Sequence, residues 1–348
     1  MPAHASLPFH HSAFSLENGL DRRQNAVYPL PGKIMGIHLV DRTFEVRGPS
    51  GLGGSPRPEL VGPVLSRLHD TLVDSVRMGF LHASKTRGRI PRGLEAAADV
   101  RFIGMEGSGD DVTKLHFRVA RFGDVAADLF EQRQLWDDGP KPVQTAFDLL
   151  ALSLGDVRNQ REDSSRFDHG LLNRFAGYRT ALKRGVESIR IDGSGPEQAQ
   201  IDLLLVNASD HLRRRTPPSR RVRLCGKLDM LAVSRKVMGV YLEDGTLVTA
   251  LWNAEDFAGF AGFLDKDVVI EGLAVFRPSG RLLRIDADAI DAAGSRDSYF
   301  STLPLPGVAD YAAAVRARPG SSPYKELLGM IPAEETDEEF LKVMEMMD

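Results

Sequence analysis

Apolar residues recur along this chain at two different steps, and the step decides the element. Leu60, Val64, Leu68, Leu72, Val76 and Phe80 fall at every fourth position, with Arg67, Asp70, Asp74 and Arg77 between them. That spacing predicts a helix from about residue 59 to 81, with Pro63 near its first turn, where proline is tolerated. A step of two marks strands. Ile37 and Leu39, then Phe44 and Val46 beyond Asp41–Arg42, predict an extended pair over 34–48. Residues 101–106 and 112–119 flank GSGDD and read as a hairpin, its second strand turning Thr113, Leu115, Phe117 and Val119 to one face. Two helical patterns follow: Val143, Phe147, Leu150, Leu154 and Val157, then Leu171, Phe175, Tyr178 and Leu182. Residues 188–192 read as a strand and Ile201 to Val206 as a short element. HLRRRTPPSRR (211–221) reads as a charged, proline-broken junction between domains.

Beyond the junction the order is three strands, a helix and two strands. Val222 to Leu231 is the first strand, with Val222, Leu224, Gly226, Leu228 and Met230 predicted on one face. Val237 to Leu242 is the second, with Met238, Val240 and Leu242 inward. Glu243–Asp244–Gly245 turns into a third at Thr246 to Trp252, because Asp-Gly accepts the positive φ of a tight hairpin. Asn253 is placed to cap a short helix bearing Phe257, Phe260 and Leu264. Val268 to Phe276 and Arg281 to Ile290, joined by Pro278–Ser279–Gly280, complete the set. VRLCGKLDML, GVYLEDGTL and DVVIEGLAVFRPSGRLLRIDADAI resemble OB-fold modules of bacterial proteins. The resemblance implies a five-stranded Greek-key barrel whose surface commonly binds oligonucleotides; another small barrel, such as an SH3-like one, is the alternative. The predicted class is α+β. It comprises a leader (1–33), a mixed α+β domain (34–210), an OB-like barrel (220–292) and a C-terminal arm with an acidic helix (293–348).

Composition changes this picture in one respect. The 348 residues are 42% hydrophobic and 26% charged, enough apolar material for a folded core, and the formal net charge is −4. A uniformly basic nucleic-acid coat is excluded, so any basic surface is local. Residues 211–236 are such a place: Arg213, Arg214, Arg215, Arg220, Arg221, Arg223, Lys227, Arg235 and Lys236 oppose Asp229 alone. Arg223, Lys227 and Tyr241 are predicted to share the outer face of adjoining strands. Cations for phosphates beside an aromatic plane for a base suit single-stranded nucleic acid; a merely solvated junction is the plainer reading. One cysteine, Cys225, permits no internal disulfide, and no apolar run approaches the roughly 20 residues of a membrane span. A cytoplasmic location and no membrane association are expected.

The chain ends IPAEETDEEFLKVMEMMD, seven carboxylates against Lys342. Thr336 and Glu339 have capping-box spacing, so a helix is predicted with Phe340, Leu341, Met344 and Met347 as its apolar stripe and Glu338 and Glu339 beside it. It would pack on this molecule or lie in a partner's groove. The stretch IPAEETDEEFLKVME resembles tails of antitoxin-type proteins paired with PIN-domain ribonuclease toxins, which implies a toxin-like protein partner. The chain lacks the usual small DNA-binding element of such antitoxins.

Signatures of phosphate-binding loops, zinc proteases, thiol pairs and serine hydrolases are absent from the sequence. Asp286 and Asp288 lie two apart on one strand, spaced to share a divalent cation, although carboxylates exposed on an edge strand are the plainer account. Asp168–His169 reads as a helix start, and no cofactor is expected. The expectation is a non-catalytic binding or regulatory protein, antitoxin-like, whose tail binds a protein partner and whose barrel contacts nucleic acid or that partner. A stand-alone single-strand-binding protein and a metal-dependent nuclease are the alternatives.

Overall fold

The computed structural model describes residues 37–48, 58–86, 90–108, 111–130, 139–192, 199–252 and 258–304. Its first strand, β1 (Leu39–Arg47), runs unbroken through Asp41–Arg42, where two extended pieces were expected. No turn is needed there because alternation sends the two charges to opposite faces. Asp41 accepts from Arg118 on the open face at 2.7 Å, and Arg42 reaches Asp148 on the helix side at 3.8 Å. β2 (Val100–Ser108), β3 (Val112–Ala120), β4 (Ser188–Asp192) and β5 (Gln200–Ile201) complete an antiparallel sheet ordered β2-β3-β1-β4-β5. The helices are α1 (Pro58–Leu81), α2 (Arg92–Ala97), α3 (Phe122–Val125), α4 (Ala146–Arg158), α5 (His169–Ala176), α6 (Arg179–Lys183) and α7 (Leu203–Arg215).

The four-residue repeat of α1 is its buried stripe: Val64, Leu68, Leu72, Val76 and Phe80 are all within 3% of full burial. Phe44, Phe117 and Phe147 meet between sheet and helices, ring centroids 5.0 to 5.9 Å apart. The single helix expected over 171–182 is two, α5 ending at Gly177. A Cβ on that glycine would lie 2.4 Å from Arg67 Nη1, so the break lets a guanidinium lie against the backbone. The other difference is α7. It begins where Asp202 accepts from the Leu205 N–H at 2.9 Å and continues through the three arginines assigned to a linker. Cations in a last turn offset the negative end of the helix dipole, so Arg213–Arg215 complete the helix, which stops before Pro217–Pro218.

Strands β6 (Arg220–Ala232), β7 (Val237–Tyr241), β8 (Leu247–Trp252), β9 (Asp267–Phe276) and β10 (Leu282–Ala292) close a mixed barrel in the order β10-β8-β7-β6-β9. β8 and β10 pair in parallel, the other ladders are antiparallel, and the arrangement is compatible with an OB-like fold. Leu224, Leu228, Met238, Val240, Val248, Ala250, Ile270 and Ile285 fill it. Gly245 makes the Asp-Gly turn at φ +79°. Asn253 and Phe257 of the expected helix lie outside the described residues; the described part is a 3₁₀ turn, Ala258–Phe263, whose Phe260 packs edge-on to Trp252.

One inward assignment on β6 is corrected. A β-bulge between Leu228 and Met230 inverts the alternation, so Leu231 packs toward the barrel interior while Met230 faces the other way. Met230 and Ala232 thereby join Val237, Leu251, Val275 and Leu283 in the apolar core that also holds Phe44 and Leu72. The barrel and the α+β portion share that core. A buried ion pair crosses the same seam. Arg284 of β10 places Nη1 3.3 Å from Asp168 and donates to the His82 carbonyl at 2.6 Å, and both charged side chains are 6% exposed. Asp168 caps α5 as expected, but its partner is more than a hundred residues away.

Candidate nucleic-acid interface

The nine basic residues singled out in the sequence do not form one track, because folding supplies carboxylates from outside the segment. Arg213 pairs with Asp210 and Arg215 with Glu162, while Arg214 is exposed at the end of α7. On β6, Arg220 is exposed, Arg221 pairs with Asp288 at 3.0 Å, and Lys227 Nζ lies 2.6 Å from Asp265. Arg223 sits between Glu271 and Asp297, its guanidinium 5.2 Å from the Phe300 ring centroid. Arg235 is buried in the β6–β7 turn beside Lys236, which adopts φ +53°. Lys227 and Tyr241 are cross-strand neighbours, as the alternation predicted, whereas Arg223 faces Glu271 of β9. The hydrogen bond within the Lys227–Asp265 pair holds the carboxyl below its usual range and the ammonium above its own.

The outer face of β7 and β8 is divided. At one end Val237 and Leu251, which are register partners, belong to the core shared with the α+β portion. At the other, Tyr241 is half-buried and its partner Leu247 is 41% exposed. One outward pair, Gly239 and Thr249, lies between the ends, which are four residues or roughly 13 Å of strand apart. Beside the open end lies a cleft of about 640 Å³ between β8 and the β9–β10 loop, lined by Thr246, Leu247, Thr249, Arg277, Arg281 and Leu303, among others.

That loop is rigidly held. Gly280 (φ +86°) makes its turn, the Ser279 N–H donates to the Glu162 carbonyl, and Arg277 donates to the Asp163 carbonyl at 2.7 Å. Arg281 pairs with the Asp163 carboxylate at 3.0 Å yet remains largely exposed. Burial pushes the Arg277 guanidinium below its usual pKa, and its Nε donates to nothing among the described residues. The cleft thus carries two guanidinium groups, Arg277 anchored and partly buried and Arg281 exposed, beside hydroxyl and apolar positions, and Tyr241 lies next to it as the register partner of Leu247. Sequence reasoning missed Arg277, Arg281, Leu247 and Thr249. The available signal was the strand alternation itself, which sets Leu247 and Thr249 outward opposite inward Val248 and Ala250.

The remaining candidate residues are elsewhere. Asp286 and Asp288 are not on an edge strand: β10 is paired on both sides, with Arg284 2.7 Å from Asp286 and Arg221 answering Asp288. Among the described residues, no group of three His, Cys, Asp or Glu side chains is placed to hold a metal ion. The tail residues Glu338, Glu339, Phe340, Leu341, Met344 and Met347 lie outside the described residues. A larger groove, about 960 Å³, runs between α1, α4 and the loop 160–166. Its buried Asp156 is met by Arg161, Arg166 and the Ser164 hydroxyl, so it offers no unanswered charge. No helix among the described residues is long and apolar enough to cross a membrane. Compared with known proteins, the chain matches no family model, no curated protein and no solved structure.

Proposed function

We propose that this is a non-catalytic binding protein whose barrel takes single-stranded nucleic acid in the cleft between β8 and the β9–β10 loop. The observation that supports it is the meeting of two cations with an open strand face at one end of a small barrel: Arg277, anchored by the Asp163 carbonyl, and the exposed Arg281 on one side, Leu247 and its register partner Tyr241 on the other. Arg213, Arg214, Arg215, Arg220, Arg221, Arg223, Arg235 and Lys236 then steer the approaching polyanion more than they grip it, since most are already paired or buried. The acidic tail forms the second half of the reading. Its capping box and apolar stripe support docking on a protein partner of the toxin type, with Phe340, Leu341, Met344 and Met347 as anchors and Glu338 and Glu339 at the rim.

Titration of a labelled single-stranded oligonucleotide of about ten nucleotides at several salt concentrations tests the first half. Each phosphate contact contributes about −0.7 to the slope of log K against log salt. Arg281→Glu should flatten that slope, and Tyr241→Ala should weaken binding by about 1–3 kcal/mol. Binding that ignores both substitutions refutes the cleft. Co-purification with and without residues 331–348 tests the second half: a partner that stays bound after truncation refutes the tail's role.

A further inference from the structure

A second concave site lies where α1, α5, α6 and α7 converge, and no barrel residue lines it. This pocket of about 380 Å³ is walled by Arg67, Lys85, Arg174, Arg179 and Arg213, with Asp210 as the lining carboxylate. Asp70 and Asp74 reach Arg174 at 3.1 and 2.8 Å. Counting all three acids leaves two cations in excess.

The arrangement is buttressed. Burial raises the Asp210 pKa, but Arg179 and Arg213, at 2.7 and 3.0 Å, more than reverse this and hold the carboxyl below its usual range. Each guanidinium is tethered through its Nη2, Arg179 also reaching Asn207, so further N–H groups are left over. Arg213 Nε is buried and donates to nothing among the described residues. Arg67 lies 5.8 Å from the Tyr178 ring centroid and rests against Gly177. Among the described residues, no carboxylate is within 4 Å of Arg67 or Lys85, although Lys85 still acts at longer range on Asp74.

We propose that this pocket binds the phosphate of a small phosphomonoester. Two excess charges match a dianion, and planar arginine forks held by acids are suited to phosphate oxygens. The volume of about 380 Å³ is enough for a phosphate with a modest attached group. The site stands independently of the barrel cleft.

Isothermal titration of the full chain at about pH 8, where a monoester is doubly charged, with inorganic phosphate and phenyl phosphate tests it. Saturable binding is expected, weakened about tenfold by Lys85→Gln, an exposed loop position, and similarly by Arg67→Gln. Arg281→Glu should leave it unchanged, which separates this site from the cleft. Absence of saturable binding at millimolar phosphate, or equal affinity in the Lys85 and Arg67 variants, overturns the proposal. So does displacement of the bound phosphate by an oligonucleotide, which assigns the pocket to nucleic-acid backbone.

Discussion

Replacing Arg284 by methionine removes a buried cation while keeping most of its aliphatic volume. Three acceptors lose a donor: Asp168 at 3.3 Å, the His82 carbonyl at 2.6 Å and Asp286 at 2.7 Å. Stripping one partner from a buried pair costs about 3–5 kcal/mol, and an unmet buried carbonyl about 1–3. Asp168 retains the Ser84 N–H, the Ser84 hydroxyl and the Leu171 N–H, and the Arg284 contact is long. Asp286 reaches solvent. The low end is therefore expected, about 3 kcal/mol, or about 1 M in urea midpoint for an m-value near 3 kcal/mol/M. Urea unfolding should be followed by tryptophan fluorescence in a Trp136→Phe background, where it reports on Trp252 in the barrel, and by far-ultraviolet circular dichroism. Arg284→Met should lower the midpoint and separate the two transitions, because the residue ties the barrel to the helices. Combined with Asp168→Asn, the loss should be smaller than the sum of the single losses by at least about 1 kcal/mol. A loss below about 0.5 kcal/mol, or strict additivity, would mean that the shared apolar core alone joins the two parts.

Three further outcomes follow from the barrel. Gly226→Ala places a Cβ 2.5 Å from the Tyr241 carbonyl oxygen, so thermal denaturation should show a loss of about 1–3 kcal/mol; an unchanged melting temperature would contradict the close approach. Cys225 is buried, and burial with the nearby carboxylates Asp267, Asp297 and Glu243 pushes its thiol pKa up. A thiol reagent near neutral pH should therefore label it far more slowly in the native protein than in urea, and equal rates would refute this. Asp265 has a lowered folded pKa, so its contribution is present above the unfolded value and lost as pH falls through the folded one. Lys227 has a raised folded pKa, so its share is present below the unfolded value and lost as pH rises through the folded one. In carboxyl NMR, Lys227→Gln should raise the Asp265 pKa back toward that of an unpaired aspartate, and no movement would refute the pairing.

Local periodicity made the strands legible. The faces of β3, the fourfold stripe of α1 and the Asp-Gly turn before β8 all rest on neighbours a few residues apart. What escaped depends on residues far away in sequence. Arg213–Arg215 resemble a linker until the dipole of α7 is considered, and the carboxylates that answer Arg221, Arg223 and Lys227 arrive from residues 265 to 297. The cleft is built from β8 and a loop about thirty residues later, so no contiguous motif announces it. One sign was available: Val237, Leu251 and Val275 are apolar at outward positions of the barrel, which is costly unless something covers them.

The extra residue in β6 has a consequence for how this protein is handled and altered. A single strand lends Leu224, Leu228 and Leu231 to one oily interior and Met230 and Ala232 to another, so the two interiors are stitched along the same thread. Cut free at Arg220, the barrel would carry a greasy scar of Met230, Ala232, Val237, Leu251, Val275 and Leu283 and would tend to clump. Deleting Asp229, the residue between Leu228 and Met230, would leave Leu228 and Leu231 inward and Met230 and Ala232 outward in unbroken alternation, the faces they already hold, so the fastening should outlast the loss of the kink.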